Sequence, residues 1–258
     1  MQISRTLLER FSRQRVLGRQ LPRAFGSVPI LVSPDAALRF WKLRLESDLF
    51  DFAREFVQPG SVVWDVGANV GLLSVAAAQR AGPSGKVIAI EADIWLAGLI
   101  RKSAALQPAT SAPLQVIPAA VSDSPSVASF HIAQRCRSCN FLADAEGSSQ
   151  TGGTRETVSV LTITLDWLLE QEPAPRVLKI DVEGAEAKVF RGAERVLSEV
   201  RPIIHCETCE SSRDYITETL LANDYILFDW DSRPRKRVDR ACFNTLATPY
   251  GHNSKDMS

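Results

Sequence analysis

Val62-Val63-Trp64-Asp65-Val66-Gly67-Ala68-Asn69-Val70-Gly71 reads as a buried strand running through a glycine turn into a helix. Glycine accepts positive φ and lets the backbone come close to a ligand, and the first turn of a helix leaves N–H groups unpaired. A turn of this kind suits a nucleotide-like ligand at the carboxyl ends of a parallel sheet. The spacing G-x-x-x-G departs from the dinucleotide fingerprint G-x-G-x-x-G, and no Gly-Lys-Ser/Thr follows to make a phosphate loop. What the stretch adds is Asp65, an acid set just before the turn. It would repel a pyrophosphate and attract a cation. A tight structural connection would carry the same residues, so the turn alone does not choose between a site and a scaffold.

Around it strands and helices alternate. The apolar pattern predicts strands over 61–66, 87–90, 114–120, 177–180 and 202–206, with helices over 72–79, 94–106, 185–197 and 213–221. Such alternation implies parallel pairing with helices on both faces of one sheet. Residues 225–230 and 241–248 flank the turn-like basic stretch 231–240 without a helix, which predicts an antiparallel hairpin at the sheet's end. An insertion over about 122–175 separates the third and fourth parallel strands. Its own hairpin is expected from 126–133 and 156–164, joined by a polar, glycine-rich loop over 147–154 that is expected to be mobile. Upstream, Leu45, Leu49, Phe52 and Phe56 keep helical spacing over 43–56, and 28–32 is a short strand or cover segment.

With 45% hydrophobic and 23% charged residues in 258, the composition excludes wholesale disorder and allows a core that needs no crosslinks. The 30 Lys+Arg balance the 30 Asp+Glu, which argues against a protein held on nucleic acid by bulk charge. No run of ~18 apolar residues is present to span a membrane, and the start lacks the apolar stretch of a secretory signal, so a cytoplasmic location is expected. Arg5, Arg10, Arg13, Arg15, Arg19 and Arg23 face a single acid, Glu9, with Leu7, Leu8, Phe11 and Val16 at roughly helical spacing. A surface-packed helix, a targeting or interfacial helix, and an arm on a partner subunit such as a homodimer would all look like this. Five cysteines include two C-x-x-C pairs, Cys136/Cys139 and Cys206/Cys209, with Cys242 alone. Free thiols are the expectation without an export signal, and a four-thiolate zinc site is the alternative.

The second strand ends in Ala89-Ile90-Glu91. A carboxylate there can accept both hydroxyls of a ribose, about 1.5–3 kcal/mol for a charge-assisted bond. Asp65, the glycine turn and Glu91 together describe a pocket for a cationic adenosyl ligand, which S-adenosylmethionine fits and NAD does not. The segments 62–75 (VVWDVGANVGLLSV), 88–93 (IAIEAD), 118–124 (PAAVSDS), 164–169 (TLDWLL), 178–193 (LKIDVEGAEAKVFRGA) and 201–207 (RPIIHCE) occur in one order. In that order the chain resembles the FkbM family of S-adenosylmethionine-dependent methyltransferases over about 49–228. The resemblance implies an α/β fold, the Rossmann-like seven-stranded class I methyltransferase sheet with helices on both faces. An N-terminal helical or cover segment, 1–48, would precede a methyltransferase domain, 49–258. It also implies that Asp65, Gly67, Asn69 and Gly71 hold the methionine end of the cofactor and Glu91 the ribose. Ala92, Asp93, Val121 and Ser122 would lie near the adenine. The family commonly has Pro after the ribose acid, where this chain has Ala92-Asp93.

Lys179-Ile180-Asp181-Val182-Glu183-Gly184-Ala185-Glu186 carries the second group of acids. Along a strand Lys179 and Asp181 share a side, with Asp181 at the carboxyl end that faces the crevice. Asp181 is the expected catalytic acceptor of a proton, with Lys179 as its partner. Glu183 and Glu186 at the head of the next helix could simply serve its dipole, about 0.3–1 kcal/mol each. The fifth strand ends in His205-Cys206-Glu207, where His205 is either a reserve base or a hydrogen-bonded side chain on the opposite face. The alternative is that Asp181 and Glu207 together hold a divalent ion, which leaves metal dependence open. Asn140, from the polar cluster Arg135, Arg137, Ser138, Asn140 and Phe141, joins Glu183 and Glu207 as an expected acceptor contact.

The leading expectation is thus an S-adenosylmethionine-dependent O-methyltransferase acting on a hydroxyl of a sugar, polysaccharide or natural-product small molecule. Two alternatives stand beside it. One is a protein that binds or modifies nucleic acid through Arg233, Arg235, Lys236, Arg237 and Arg240; the other is a catalytically inactive scaffold that binds the cofactor.

Overall fold

A computed structural model describes residues 5–45, 47–145 and 151–251. Helix α1 (Arg5–Ser12) leads into an antiparallel pair, β1 (Leu17–Gln20) and β2 (Pro29–Val32). The helix predicted over 43–56 begins only at Leu49, as α2 (Leu49–Phe56). The guanidinium of Arg19 donates to the carbonyls of Phe40, Trp41 and Lys42, at the end of a short 3-10 turn, Leu38–Trp41, that lies ahead of α2. Then follow β3 (Val62–Val66), α3 (Leu72–Ala81), β4 (Lys86–Ile90), α4 (Ile94–Ala104) and β5 (Leu114–Ile117). The third predicted strand ends early because Pro118 brings no N–H to the ladder. Its last residues form β6 (Ala120–Val121), which joins a different sheet.

That second sheet is the insertion: β7 (Ser126–Ala133), β8 (Phe141–Leu142) and β9 (Thr154–Ile163), in the order β6-β9-β7-β8. The predicted hairpin is the β7–β9 pair, and residues 147–150 of its expected loop lie outside the described residues. Helix α5 (Leu165–Gln171) follows, capped by Thr164, whose side chain accepts from the Trp167 N–H at 3.0 Å. The chain then re-enters the main sheet as β10 (Val177–Ile180), α6 (Glu186–Arg191), β11 (Ile203–Glu207), α7 (Arg213–Ala222), β12 (Tyr225–Asp229), β13 (Lys236–Val238) and β14 (Asn244–Pro249). The helix predicted over 185–197 is broken after Arg191. Gly192 passes so close to the Ser122 carbonyl that a Cβ would lie 2.3 Å from it. The Asp166 carboxylate then accepts from the N–H groups of Arg195 and Val196 and starts a separate wide turn, Val196–Val200.

The main sheet has the order β13-β12-β14-β11-β10-β3-β4-β5. The strands β11, β10, β3, β4 and β5 are parallel, and β14 runs antiparallel between β11 and β12. This is the seven-stranded class I methyltransferase arrangement with its one reversed strand. The edge strand β13 makes eight, formed from the basic stretch that had been expected as a plain turn. Two of its basic side chains are paired within the molecule: Arg235 with Glu55, over the Trp230 ring, and Arg240 with Glu210 and Asp214.

Strand alternation sorts the core into two layers. Val63 and Val87 face one layer with Phe52, Phe56, Leu73 and the buried residues of 21–45. Trp64, Val66, Ile88 and Ile90 face the other, with Leu165, Leu178, Val189 and Phe190. Polar Asp65, Lys179 and His205 therefore sit in register on the first face of a buried sheet, where each needs a partner. No helix among the described residues is long and apolar enough to cross a membrane.

Candidate active site

The turn after β3 is forced against the end of β10. Gly67 has φ +70°, and a Cβ there would lie 1.8 Å from the Asp181 carbonyl oxygen, so only glycine fits. The turn is fastened by Lys179, whose Nζ donates to the Gly67 carbonyl at 2.5 Å and lies 3.3 Å from Asp181 and 3.5 Å from Asp65. Burial alone would pull the lysine pKa down, but the two carboxylates outweigh it and raise the value. Lys179 is therefore a fixed ammonium that holds two aspartates, and it is no candidate for a base. Asp65 is 1% exposed and also accepts from Ser74 Oγ. Its Oδ1, the oxygen that faces the Lys179 ammonium at 3.5 Å, has no hydrogen-bond donor, and neither has the buried Oδ1 of Asn69.

Two adjoining cavities open over this turn and share Asn69, Ser138, Asp181 and Glu183, making one cleft. The first is walled by Gly67, Glu91, Ala92, Val121 and Asn140. Glu91 is buried at the tip of β4 and accepts from the backbone N–H groups of Asn69 (2.7 Å) and Asp93 (2.8 Å). Burial pushes its pKa up to about 8, against the opposing pull of these two donors. The second cavity is lined by Asp65, Lys179, Asp181, Glu207 and Phe243, with Ala37, Phe40 and Leu49 from the N-terminal part of the chain.

Four expected contacts are placed elsewhere. Gly71 lines neither cavity; its N–H goes to the Ala68 carbonyl at 2.8 Å and its left-handed φ of +81° starts α3. Ser122 lines neither, since its N–H pairs with Ile163 across β6–β9. Asp93 is not an adenine wall. One oxygen caps α4 through Trp95 and Leu96, and the other takes Arg137 Nη1 at 2.5 Å and Asn140 Nδ2 at 2.9 Å. The residue directly after Glu91, where the family commonly has proline, is Ala92. Asn140 stands in the first cavity, which it shares with Asp181 and Glu183 but not with Glu207, and its amide oxygen accepts from the Ala133 N–H as well.

His205 departs from both expectations. It lies on the same face as Lys179, not the opposite one, yet lines neither cavity. It packs between Phe52 and Trp230, 3% exposed, with neither ring nitrogen hydrogen-bonded. Burial drops its pKa to about 4, so it is a neutral core side chain out of reach of the cleft.

Asp181, Glu183 and Glu207 each bring a carboxylate oxygen within 4.8 Å of the others. Glu183 precedes α6 in a left-handed conformation, φ +51°, so it does not serve the helix as expected; Glu186 does begin it, accepting from the Gly184 N–H at 2.9 Å. Burial first and the Asp181 charge second raise Glu183 to about 9 and Glu207 to about 7. A shared proton or a divalent cation are the two ways such a group relieves its repulsion. The four thiols of the C-x-x-C pairs form no comparable group among the described residues.

These raised acids set a pH dependence. A carboxyl whose folded pKa exceeds its unfolded value stabilises the fold fully below the unfolded pKa, and the contribution is lost as pH rises through the folded one. For Glu207, Glu91 and Glu183 that window runs from 4.5 to about 7, about 8 and about 9. The unliganded protein is expected to lose Tm steadily between about pH 5 and about pH 9, and Glu183→Gln should flatten the slope. Calorimetric scans across that range check this, and a Tm that rises with pH would contradict it.

Asp35, which is fully buried and joins Arg137 and Arg155, carries no signal in the sequence around it. An acid after Ser33-Pro34 reads as a surface turn, and nothing local marks its partners a hundred residues on. Phe40 and Phe243, at the mouth of the second cavity, were likewise unmarked, being single apolar residues in irregular stretches.

Residues 65–228 match the methyltransferase FkbM domain. A hexuronic acid methyltransferase of Haloferax volcanii, AglP, is 28% identical over 168 residues, which span 64% of this chain and 64% of that protein. The chain thus covers under two thirds of that relative's length. Among solved structures, a methyltransferase FkbM from Methylobacillus flagellatus is 16% identical with a TM-score of 0.47, covering 77% of this chain and 50% of that one. An O-methyltransferase of Thermotoga maritima is 15% identical with a TM-score of 0.40, covering 84% and 70%.

Proposed function

This chain belongs to the FkbM methyltransferase family, and from that premise we propose that it moves the methyl group of S-adenosylmethionine to a hydroxyl oxygen of a sugar or similar polyhydroxylated molecule. The observation that carries the cofactor is the pair of buried acceptor oxygens without donors, Asp65 Oδ1 and Asn69 Oδ1, in residues that line the cleft. An ammonium-bearing ligand supplies the missing donors. Glu91 takes the ribose, with Ala92 and Val121 against the base, and Gly67 lets the methionine end lie close to the backbone. When bound, the cofactor supplies a methyl group already activated by its sulfonium.

The acceptor is placed in the second cavity, where Asp181, Glu183 and Glu207 accept hydroxyl hydrogens and Phe40 and Phe243 offer apolar faces. The hexuronic acid methyltransferase of Haloferax volcanii supports a sugar as the class. In this chain three clustered carboxyls disfavour an anionic sugar carboxylate close to the methyl, so a neutral ring hydroxyl is the proposed nucleophile.

Calorimetric titration tests the cofactor directly. S-adenosylmethionine should bind, and Glu91→Ala should weaken it at least tenfold, since a lost charge-assisted bond exceeds about 1.4 kcal/mol. Tight NAD binding without S-adenosylmethionine binding would sink the proposal. Turnover is then sought with labelled cofactor across neutral and uronic sugars, and transfer to none of them while other hydroxyl compounds react would remove the sugar.

A further inference from the structure

Outside the acid cluster, the chain holds a second chemical pair. Cys136 immediately precedes a short 3-10 turn, Arg137–Cys139, and the two sulfurs lie 3.1 Å apart. The other three thiols contact oxygen instead: Cys206 the Glu207 carbonyl, Cys209 the Ser212 hydroxyl and Cys242 the Asn244 carbonyl. The turn that sets the pair is held from outside. Its Arg137 and Ser138 N–H groups donate to the carbonyls of Asp35 (2.8 Å) and Ala36 (3.1 Å), and the Arg137 guanidinium is locked between Asp35 and Asp93.

We propose that Cys136 and Cys139 form a reversible dithiol–disulfide site that reacts with small disulfide compounds. The two positions are unequal in the way such chemistry requires. Cys136 is half-buried and reachable, whereas Cys139 is 8% exposed and reachable mainly by its neighbour's sulfur. The Cys139 hydrogen bond outweighs burial and draws the Cys136 thiol down to about 6, while Cys139 is pushed up. Cys136 is thus the attacking thiolate and Cys139 the resolving thiol.

In the first step the Cys136 thiolate attacks one sulfur of the small disulfide; an S–S bond forms to Cys136 and the other half leaves as a thiolate. In the second, Cys139 gives its proton to that thiolate, which becomes a thiol, and attacks Cys136 sulfur, forming the internal disulfide and releasing the second half as a thiolate. The small disulfide is reduced by two electrons and the pair is oxidised by two. The closed ring stiffens a turn whose Ser138 lines both halves of the cleft.

The test incubates the full chain with oxidised glutathione, quenches in acid, alkylates free thiols and measures intact mass and tryptic peptides. Cleavage after Arg137 separates the two cysteines, so a disulfide appears as a crosslinked peptide pair. The expected product has lost two hydrogens, joins Cys136 to Cys139, and leaves Cys209 and Cys242 open to alkylation. Excess dithiothreitol should reverse it. Cys139→Ser should trap one glutathione on Cys136. The proposal fails if wild-type Cys136 and Cys139 both remain alkylatable, if glutathione stays on Cys136 unresolved, or if either cysteine crosslinks to a different one.

Discussion

Asp181→Asn is expected to lower kcat by two or more orders of magnitude while S-adenosylmethionine binds within about twofold of its normal affinity. With the methyl already activated, the protein has to align an oxygen and accept a late-leaving proton, and a positioned base typically contributes ~10²–10⁴-fold. Asp181 is in both halves of the cleft, its side chain 32% exposed, with the Lys179 ammonium 3.3 Å away as its ion-pair partner. Asparagine keeps the shape but cannot take a proton. The fold survives because Lys179 retains the Gly67 carbonyl at 2.5 Å and Asp65 at 3.5 Å. Single-turnover rates with saturating cofactor provide the measurement.

Two companion changes separate the roles. Glu207, held at about 7, is also tuned for proton exchange near neutral pH. If Glu207→Gln abolishes turnover and Asp181→Asn does not, the base is Glu207. His205→Phe should leave kcat within about threefold, because the ring lines neither half of the cleft and packs edge-on to Trp230 and tilted on Phe52. If none of the acid changes matters, catalysis is alignment alone. A protein that binds cofactor but transfers no methyl to any acceptor would instead be the inactive scaffold.

The strand–turn–helix around Gly67 was legible because its signal is local: apolar run, acid, then glycines at fixed steps. The same holds for Glu91 and Asp181, each the first carboxylate after an apolar strand, and strand order placed both at one crevice. What stayed hidden depends on pairing at a distance. Asp93 looked like part of a binding wall because the sequence cannot say that Arg137, forty-four positions later, arrives at its carboxylate. His205 shares its register with Lys179, and only the packing of α2 and Trp230 over it shows that the cleft stops short. Helix bounds failed where tertiary groups ended the helix: Gly192 against Ser122, and Arg19 against the carbonyls before α2.

The buried Arg137 makes the largest stability prediction. Its Nε lies 2.9 Å from Asp35 and its Nη1 2.5 Å from Asp93, and all three side chains are at most 7% exposed. The ion pairs tie the N-terminal part of the chain, the head of α4 and the insertion to one point beside the first cavity. Arg137→Ala should destabilise by about 3–5 kcal/mol, because buried carboxylates are left without their counter-charge. At roughly 2–4 °C per kcal/mol for a chain of this size, that is a Tm loss of about 10 °C. Asp35 keeps Arg155 at 2.8 Å, so the greater share falls on Asp93, and Arg137→Met with Asp93→Asn should recover part of the loss. The pH dependence has its own sign. Burial raises the Asp35 pKa, but Arg155, Gln14 and Arg137 together hold it below 3.8. Its stabilisation is therefore complete above about pH 4 and disappears as the pH falls through the lowered value. In Arg137→Ala that acid-side loss should begin at higher pH. Arg137→Lys should restore less than about half of the stability, since one ammonium cannot reach two carboxylates on separate sides as a planar fork does. Full recovery by lysine would mean that charge, not the geometry of the fork, holds these three segments together.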